Sequence, residues 1–184
     1  GAHSIMVSAH ERALLRERDV KVCHCPFSNC GKGVPETPAL LEDGICVGLG
    51  TDGAAHGGLS LWNEMKIFRS VMNVKHGVAQ SNPAIMLAAQ IISMATKEGY
   101  RLMKEEGGVI AEGKKADFIT INTMQSHLYP TGNLVNTLLE CVTASDVCDM
   151  AVDGRLLMKD REVLTLDEEK ILYEAMKYME ELEA

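Results

Sequence analysis

The run Val47-Gly48-Leu49-Gly50-Thr51-Asp52-Gly53 constrains this chain more than any other stretch. A short apolar strand ends there on a carboxylate flanked by small residues, which is how a barrel enzyme presents a metal ligand or general base at the mouth of its sheet. Two further apolar runs precede it, Ala2 to Met6 and Val20 to Cys25, with helical patterns between the three. Strand–helix–strand repetition predicts a parallel sheet with right-handed crossovers. The mostly apolar stretch from Ile45 to Thr51 suits a strand covered on both faces. Only 51 residues stand before Asp52, too few for the rest of a barrel. The expectation is therefore the back half of a larger enzyme.

Local signals place the helices. Ser8-Ala9-His10-Glu11 has capping-box spacing for a helix through about Arg18. Pro26 to Pro38 reads as a loop, followed by a short helix around Leu40 to Asp43. Leu61, Met65, Phe68 and Met72 recur at helical spacing, and Asn82-Pro83 predicts the start of a helix carrying Leu87, Ile91 and Met94 on one face. The texture changes near Gly107-Gly108: Val109-Ile110 and Asp117 to Asn122 read as short strands. Val147 to Val152, Asp153-Gly154 and Arg155 to Met158 carry a hairpin signal. Thr165-Leu166-Asp167-Glu168 is a second capping-box pattern, opening a terminal helix with Ile171, Leu172, Ala175, Tyr178, Met179 and Leu182 on an expected buried face. The expected domains are an α/β part over 1–106, a small β unit over 107–165 and a terminal helix over 166–184.

Charge and composition narrow the partners. A net charge of −8, with no basic cluster longer than Lys114-Lys115, disfavours nucleic acid and anionic membranes. No apolar run approaches the ~20 residues of a membrane span. Six cysteines, several inside strand-like runs, read as free thiols in a reducing cytoplasm. In Cys23-His24-Cys25, strand alternation turns both thiols away from the face that His24 occupies, against a structural zinc site.

Polar residues gather at the three strand ends: His3, then His24 with Ser28 and Asn29, then Asp52 with His56. Each strand-end His or Asp replaces an apolar residue that packing alone would prefer. Carboxyl ends of barrel strands are where catalysis is built. His76 and His127 are expected in solvent, and His10 in the first turn of its helix.

Ala2-His3-Ser4, Cys23-His24-Cys25-Pro26-Phe27-Ser28-Asn29 and Gly48-Leu49-Gly50-Thr51-Asp52-Gly53-Ala54-Ala55 resemble the last three barrel strands of the amidohydrolase superfamily. The branch they resemble is the chlorohydrolase and aminohydrolase group, with its adenosine-type, S-adenosylhomocysteine, methylthioadenosine and guanine deaminases. Met94-Ala95-Thr96, Glu98-Gly99 and Ile110 to Phe118 resemble the helix and strand that leave the barrel in that branch. The resemblance implies the C-terminal part of a TIM-like (β/α)8 barrel, its last three strands, followed by a small β-sandwich unit and the terminal helix.

It also implies a hydrolase acting on non-peptide carbon–nitrogen bonds of cyclic amidines. Such enzymes use a divalent ion, Zn2+ or Fe2+, to activate water against a heterocyclic carbon bearing an amino group or chloride, as in purines or triazines. Asp52 would be both the metal ligand and a catalytic proton acceptor. His3 would be catalytic, contacting substrate or the attacking water. His24, Ser28, Asn29 and His56 would line the substrate pocket. His56 stands where several deaminases carry a small polar residue, which widens the expected substrates beyond adenosine-like ones.

The histidine ligands of the first and fifth strands are absent from this sequence. One aspartate cannot hold a catalytic zinc, which takes three protein ligands. Alone, the chain is expected to be inactive. Its expected partners are a small heterocycle together with a missing N-terminal barrel half, or a second copy bound through the open sheet edge. Two further readings are a non-catalytic assembly or regulatory module and one half of a split enzyme.

Overall fold

The computed structural model describes residues 1–55 and 57–183. Contacts divide the chain into two compact units, Gly1–Lys114 with Met124–Ala144, and Lys115–Thr123 with Ser145–Ala184.

The first unit is built around two short parallel strands. Helix α1 (Ala9–Glu17) opens with the expected capping box: Ser8 Oγ accepts from the Glu11 N–H, and the Glu11 carboxylate accepts from the Ser8 N–H at 2.8 Å. Strand β1 (Val22–His24) leads into helix α2 (Pro26–Cys30), then helix α3 (Thr37–Glu42) and strand β2 (Val47–Leu49). The strands pair in parallel, with Val22 opposite Val47 and His24 opposite Leu49. The first expected strand is reduced to one parallel bridge, Ala2 to Cys23. His3 and Ser4 have φ of 64° and 49°, so the chain leaves the extended region there and cannot continue the ladder. Ser28 and Asn29, expected in a loop, lie on α2.

Helix α4 (Leu61–Met72) buries Met65, Phe68 and Met72 against the sheet, as its spacing predicts. Two helices follow, α5 (Ala88–Ala95) and α6 (Lys97–Leu102). The expected start at Asn82-Pro83 is overturned: the Asn82 side chain accepts from the Ala84 N–H at 2.9 Å, closing a local turn. The helix begins six residues later, at Ala88, and Leu87 stays exposed while Ile91 and Met94 are buried. Helix α7 (Leu134–Glu140) joins this unit, with Leu139 in the core and the Trp62 Nε1–H donating to the Leu138 carbonyl at 3.0 Å. Gly48 is a close-approach glycine; a Cβ there would sit 2.5 Å from Leu102 Cδ1.

The second unit is a four-stranded antiparallel sheet in sequential order: β3 (Phe118–Ile121), β4 (Val147–Val152), β5 (Arg155–Lys159) and β6 (Glu162–Val163). The expected hairpin is present. Val152 pairs with Arg155, and Asp153 and Gly154 have φ of 51° and 74°, as a two-residue primed turn requires. Val109-Ile110 forms no strand, and Ile110 is exposed.

The terminal helix α8 (Glu168–Glu183) is present, but two expectations about it fail. Its first turn is capped by Asp167, whose Oδ1 accepts from the Lys170 N–H at 3.0 Å, not by Thr165. Its apolar stripe is not buried, since Ile171, Leu172, Tyr178, Met179 and Leu182 are all exposed. Periodicity marks the apolar side of a helix without saying that anything covers it.

Phe68, 1% exposed, is among the largest fully buried side chains of the first unit. Phe68→Ala is expected to destabilise that unit by about 3–5 kcal/mol, read as a lower urea midpoint at unchanged denaturant slope.

Candidate active site

The polar ends of β1, β2 and the Ala2 bridge converge. Asp52 lies three residues beyond β2 with φ 58°, and its Oδ2 faces His3 Nε2 at 3.8 Å. Both side chains are about one-third exposed, at 37% for His3 and 34% for Asp52. Two non-glycine residues in the left-handed region each cost roughly 1–2 kcal/mol, so the surroundings must hold them there.

For His3 the hold is specific. Its N–H donates to the Cys23 carbonyl at 2.8 Å, and its own carbonyl accepts from His24 Nδ1 at 2.7 Å. A carbonyl can only accept, so Nδ1 of His24 carries a proton. His24 Nε2, 2.9 Å from Thr37 Oγ1, then accepts from the hydroxyl. His24 is 0% exposed, and burial pushes its pKa down to about 4, with a further lowering from the nearby charge of His3 opposing the gain from the carbonyl. It is a neutral, doubly bonded core residue.

The His3 ring is held as well. Nδ1 lies 2.8 Å from Asn29 Oδ1, so Nδ1 donates and Nε2 is left toward Asp52. In the neutral ring two acceptors then face one another across 3.8 Å. A proton on Nε2, or a donor placed between the two groups, satisfies both.

Of the predicted residues, Asp52, His3, Asn29 and His24 are brought together. His24, Ser28 and Asn29, expected to line a substrate pocket, are buried at 0%, 5% and 1% exposed. Both ring nitrogens of His24 bond within the protein, and Asn29 holds His3 through Oδ1 while its Nδ2 is buried without a hydrogen-bond partner. His56 lies outside the described residues. His76 was expected in solvent, yet its side chain is only 11% exposed and faces Glu36 at 3.8 Å.

Two residues escaped the sequence reading. Thr37 left no signal. Glu64, 1% exposed, did leave one: it sits inside the apolar stripe of α4, three residues after Leu61 and four before Phe68. Its Oε2 accepts from the Phe27 N–H at 2.8 Å. Burial raises its pKa, the Phe27 N–H lowers it and the charge of Asp52 adds to the rise.

The thiols of Cys23 and Cys25 flank Gly50, where a Cβ would sit 3.0 and 3.6 Å from the two sulfurs. Burial pushes the Cys25 thiol up to about 11, with the charges of Cys23 and Asp52 adding to it, so it is no nucleophile at neutral pH. A catalytic zinc takes three protein ligands, and the described residues contain no group of three or more His, Cys, Asp or Glu placed to hold a metal. Asp52 suits one ligand position, but the described residues do not complete a set. Among them, no helix is long and apolar enough to cross a membrane.

Residues 1–162 match the Amidohydrolase family. A 5-methylthioadenosine/S-adenosylhomocysteine deaminase of Dictyoglomus thermophilum is 41% identical over 185 residues, covering 98% of this chain and 42% of the relative. A 5′-deoxyadenosine deaminase of Methanosarcina mazei is 37% identical over 186 residues, covering 100% of this chain and 42% of that protein. Among solved structures, a zinc-bound adenosine deaminase of Xanthomonas campestris superposes with a TM-score of 0.90 at 23% identity, over 99% of this chain and 42% of that one. The fold is thus the α/β fold of amidohydrolase structures. The chain spans about 42% of the length of the curated relatives it matches.

The neutral state of His24 sets a pH dependence. The unfolded chain takes up a proton near the ordinary value of about 6.5 that the folded chain refuses until about 4, so stability falls as pH drops through that window. Urea titrations are expected to show native stability declining by up to about 3 kcal/mol more than in His24→Gln as pH falls between those values, with the difference between the two proteins independent of pH above about 7.

Proposed function

The chain belongs to the amidohydrolase family, and on that premise we propose that it carries the proton-transfer end of a metal-dependent site hydrolysing the exocyclic C–N bond of amino-heterocycles. Adenosines modified at the 5′ position are the first substrates to expect, because relatives 37–41% identical are named as deaminases of such nucleosides. The observation that carries this reading is the exposed Asp52 carboxylate facing His3 Nε2 at 3.8 Å, beyond the carboxyl end of β2.

Deamination adds water to the carbon bearing the amino group and expels ammonia, so one proton must leave the water and another must reach the departing nitrogen. Asp52 is the acceptor for the first and hands it on to the leaving group. It stands beyond the strand end with 34% of its side chain exposed. His3 keeps Nε2 toward the same space because Nδ1 is occupied by Asn29. There it accepts from the attacking water or from an N–H of the substrate. His24, itself held by Thr37, keeps the His3 backbone in its left-handed turn.

A divalent ion, zinc or iron, would take Asp52 as one ligand and lower the pKa of a bound water toward ~7. The remaining ligands would come from protein corresponding to the part of the relatives that this chain does not span. In the same reading β1, β2 and the Ala2 bridge are late strands of a TIM-like barrel, and the second unit belongs to its accessory β-sandwich.

A chimera tests this. The matching segment of the Dictyoglomus thermophilum deaminase is replaced by this chain, and zinc content and ammonia release from 5′-methylthioadenosine are measured. Zinc-dependent deamination is expected, with Asp52→Asn lowering kcat by about a hundredfold or more. A folded, zinc-loaded chimera without activity, or one that Asp52→Asn leaves untouched, would sink the reading.

A further inference from the structure

The ring of His3 is held by Asn29, and Asn29 rides on α2, a helix of five residues. A single turn has almost no stability of its own, because nucleation costs more than one hydrogen bond returns. The N-cap residue, Cys25, makes no side-chain hydrogen bond to the turn. What holds α2 in place therefore decides where Asn29 Oδ1 sits.

One contact stands out. Glu64 reaches from the buried face of α4 and accepts the Phe27 N–H at 2.8 Å, in the first turn of α2 and two residues before Asn29. Glu64 is 1% exposed and Asn29 is also 1% exposed. Burying a carboxylate inside an apolar stripe is costly, and packing alone would place a methionine or leucine there. A charge-assisted N–H to carboxylate bond is what the charge returns, being stronger and more directional than a neutral one. The path is continuous: Glu64 to the Phe27 N–H, about half a helical turn to Asn29, Asn29 Oδ1 to His3 Nδ1, and His3 Nε2 toward Asp52.

We propose that Glu64 is a positioning residue of this site, fixing the α2 turn so that Asn29 holds His3 as its Nδ1–H tautomer with Nε2 directed at Asp52. Glu64 touches neither His3 nor any substrate in this scheme; it acts through α2, and its charge also faces that of Asp52. The role rests on the reading that His3 and Asp52 are the working pair.

The test is the nitrogen-15 and proton NMR signature of the His3 ring in the full chain at fixed neutral pH, assigned by its loss in His3→Gln. Asn29→Ala serves as the positive control. Glu64→Gln keeps an acceptor oxygen and is expected to retain the Nδ1–H signal. Glu64→Met keeps the volume without the acceptor and is expected to shift the tautomer ratio away from Nδ1–H by about fivefold, the size of one net hydrogen bond. Should Glu64→Met not fold, Glu64→Asp decides instead, since it withdraws the carboxylate by one methylene and is expected to weaken the same signal. An Nδ1–H signal unchanged in whichever of these two variants is read would overturn the proposal, as would its loss in Glu64→Gln. Because the resonance reports geometry without turnover, this failure is distinct from a failure of the chimera to deaminate.

Discussion

A hydrogen bond from a buried neutral imidazole to a backbone carbonyl underlies the rest of this arrangement. His24 Nδ1 donates to the carbonyl of His3 at 2.7 Å, and that bond pins a residue whose φ of 64° is unfavourable for any side chain with a Cβ. Without it, the segment after Ala2 would gain by relaxing toward an extended strand. Strand alternation would then carry His3 to another face. The imidazole is neutral, with Nδ1 donating to the His3 carbonyl and Nε2 accepting from Thr37. Burial enforces that state, so stability and site geometry share one residue.

Around this bond the structure separates two kinds of work. Asp52 and the His3 ring are each about one-third exposed. Buried groups, His24, Asn29, Thr37 and Glu64, each satisfy a backbone or side-chain partner and transmit position. Burying four polar residues carries a desolvation cost that hydrogen bonds to His24, Thr37, Glu64 and Asn29 Oδ1 offset, while Asn29 Nδ2 is buried without a hydrogen-bond partner. Such packing would preorganise the proposed pair, His3 and Asp52.

Legibility varied with how local the determining interaction is. The capping box at Ser8 and the stripe of α4 were readable because their partners lie three or four residues apart. The Asp153-Gly154 turn was readable for the same reason. Asn82-Pro83 misled because the asparagine side chain has two local uses, capping a helix or closing a turn, and it makes the second. The stripe of α8 misled because periodicity does not report whether a partner covers it. Among site residues, Asp52 and His3 stood out as polar groups at strand ends. Glu64 was visible only as a carboxylate inside an apolar stripe, and nothing local distinguished Thr37.

By itself, the sequence determined which residue types stand at the strand ends, the acid–imidazole chemistry they permit and the family they resemble, since these depend on identity and spacing along the chain. Tertiary structure alone decided which of those residues face outward. His24 and Asn29 looked as available as His3 on paper, yet both are buried with their partners inside the protein. The physical reason is that a hydrogen bond across 21 or 26 residues of separation is set by how strands and helices pack. No pattern of neighbours along the chain encodes it.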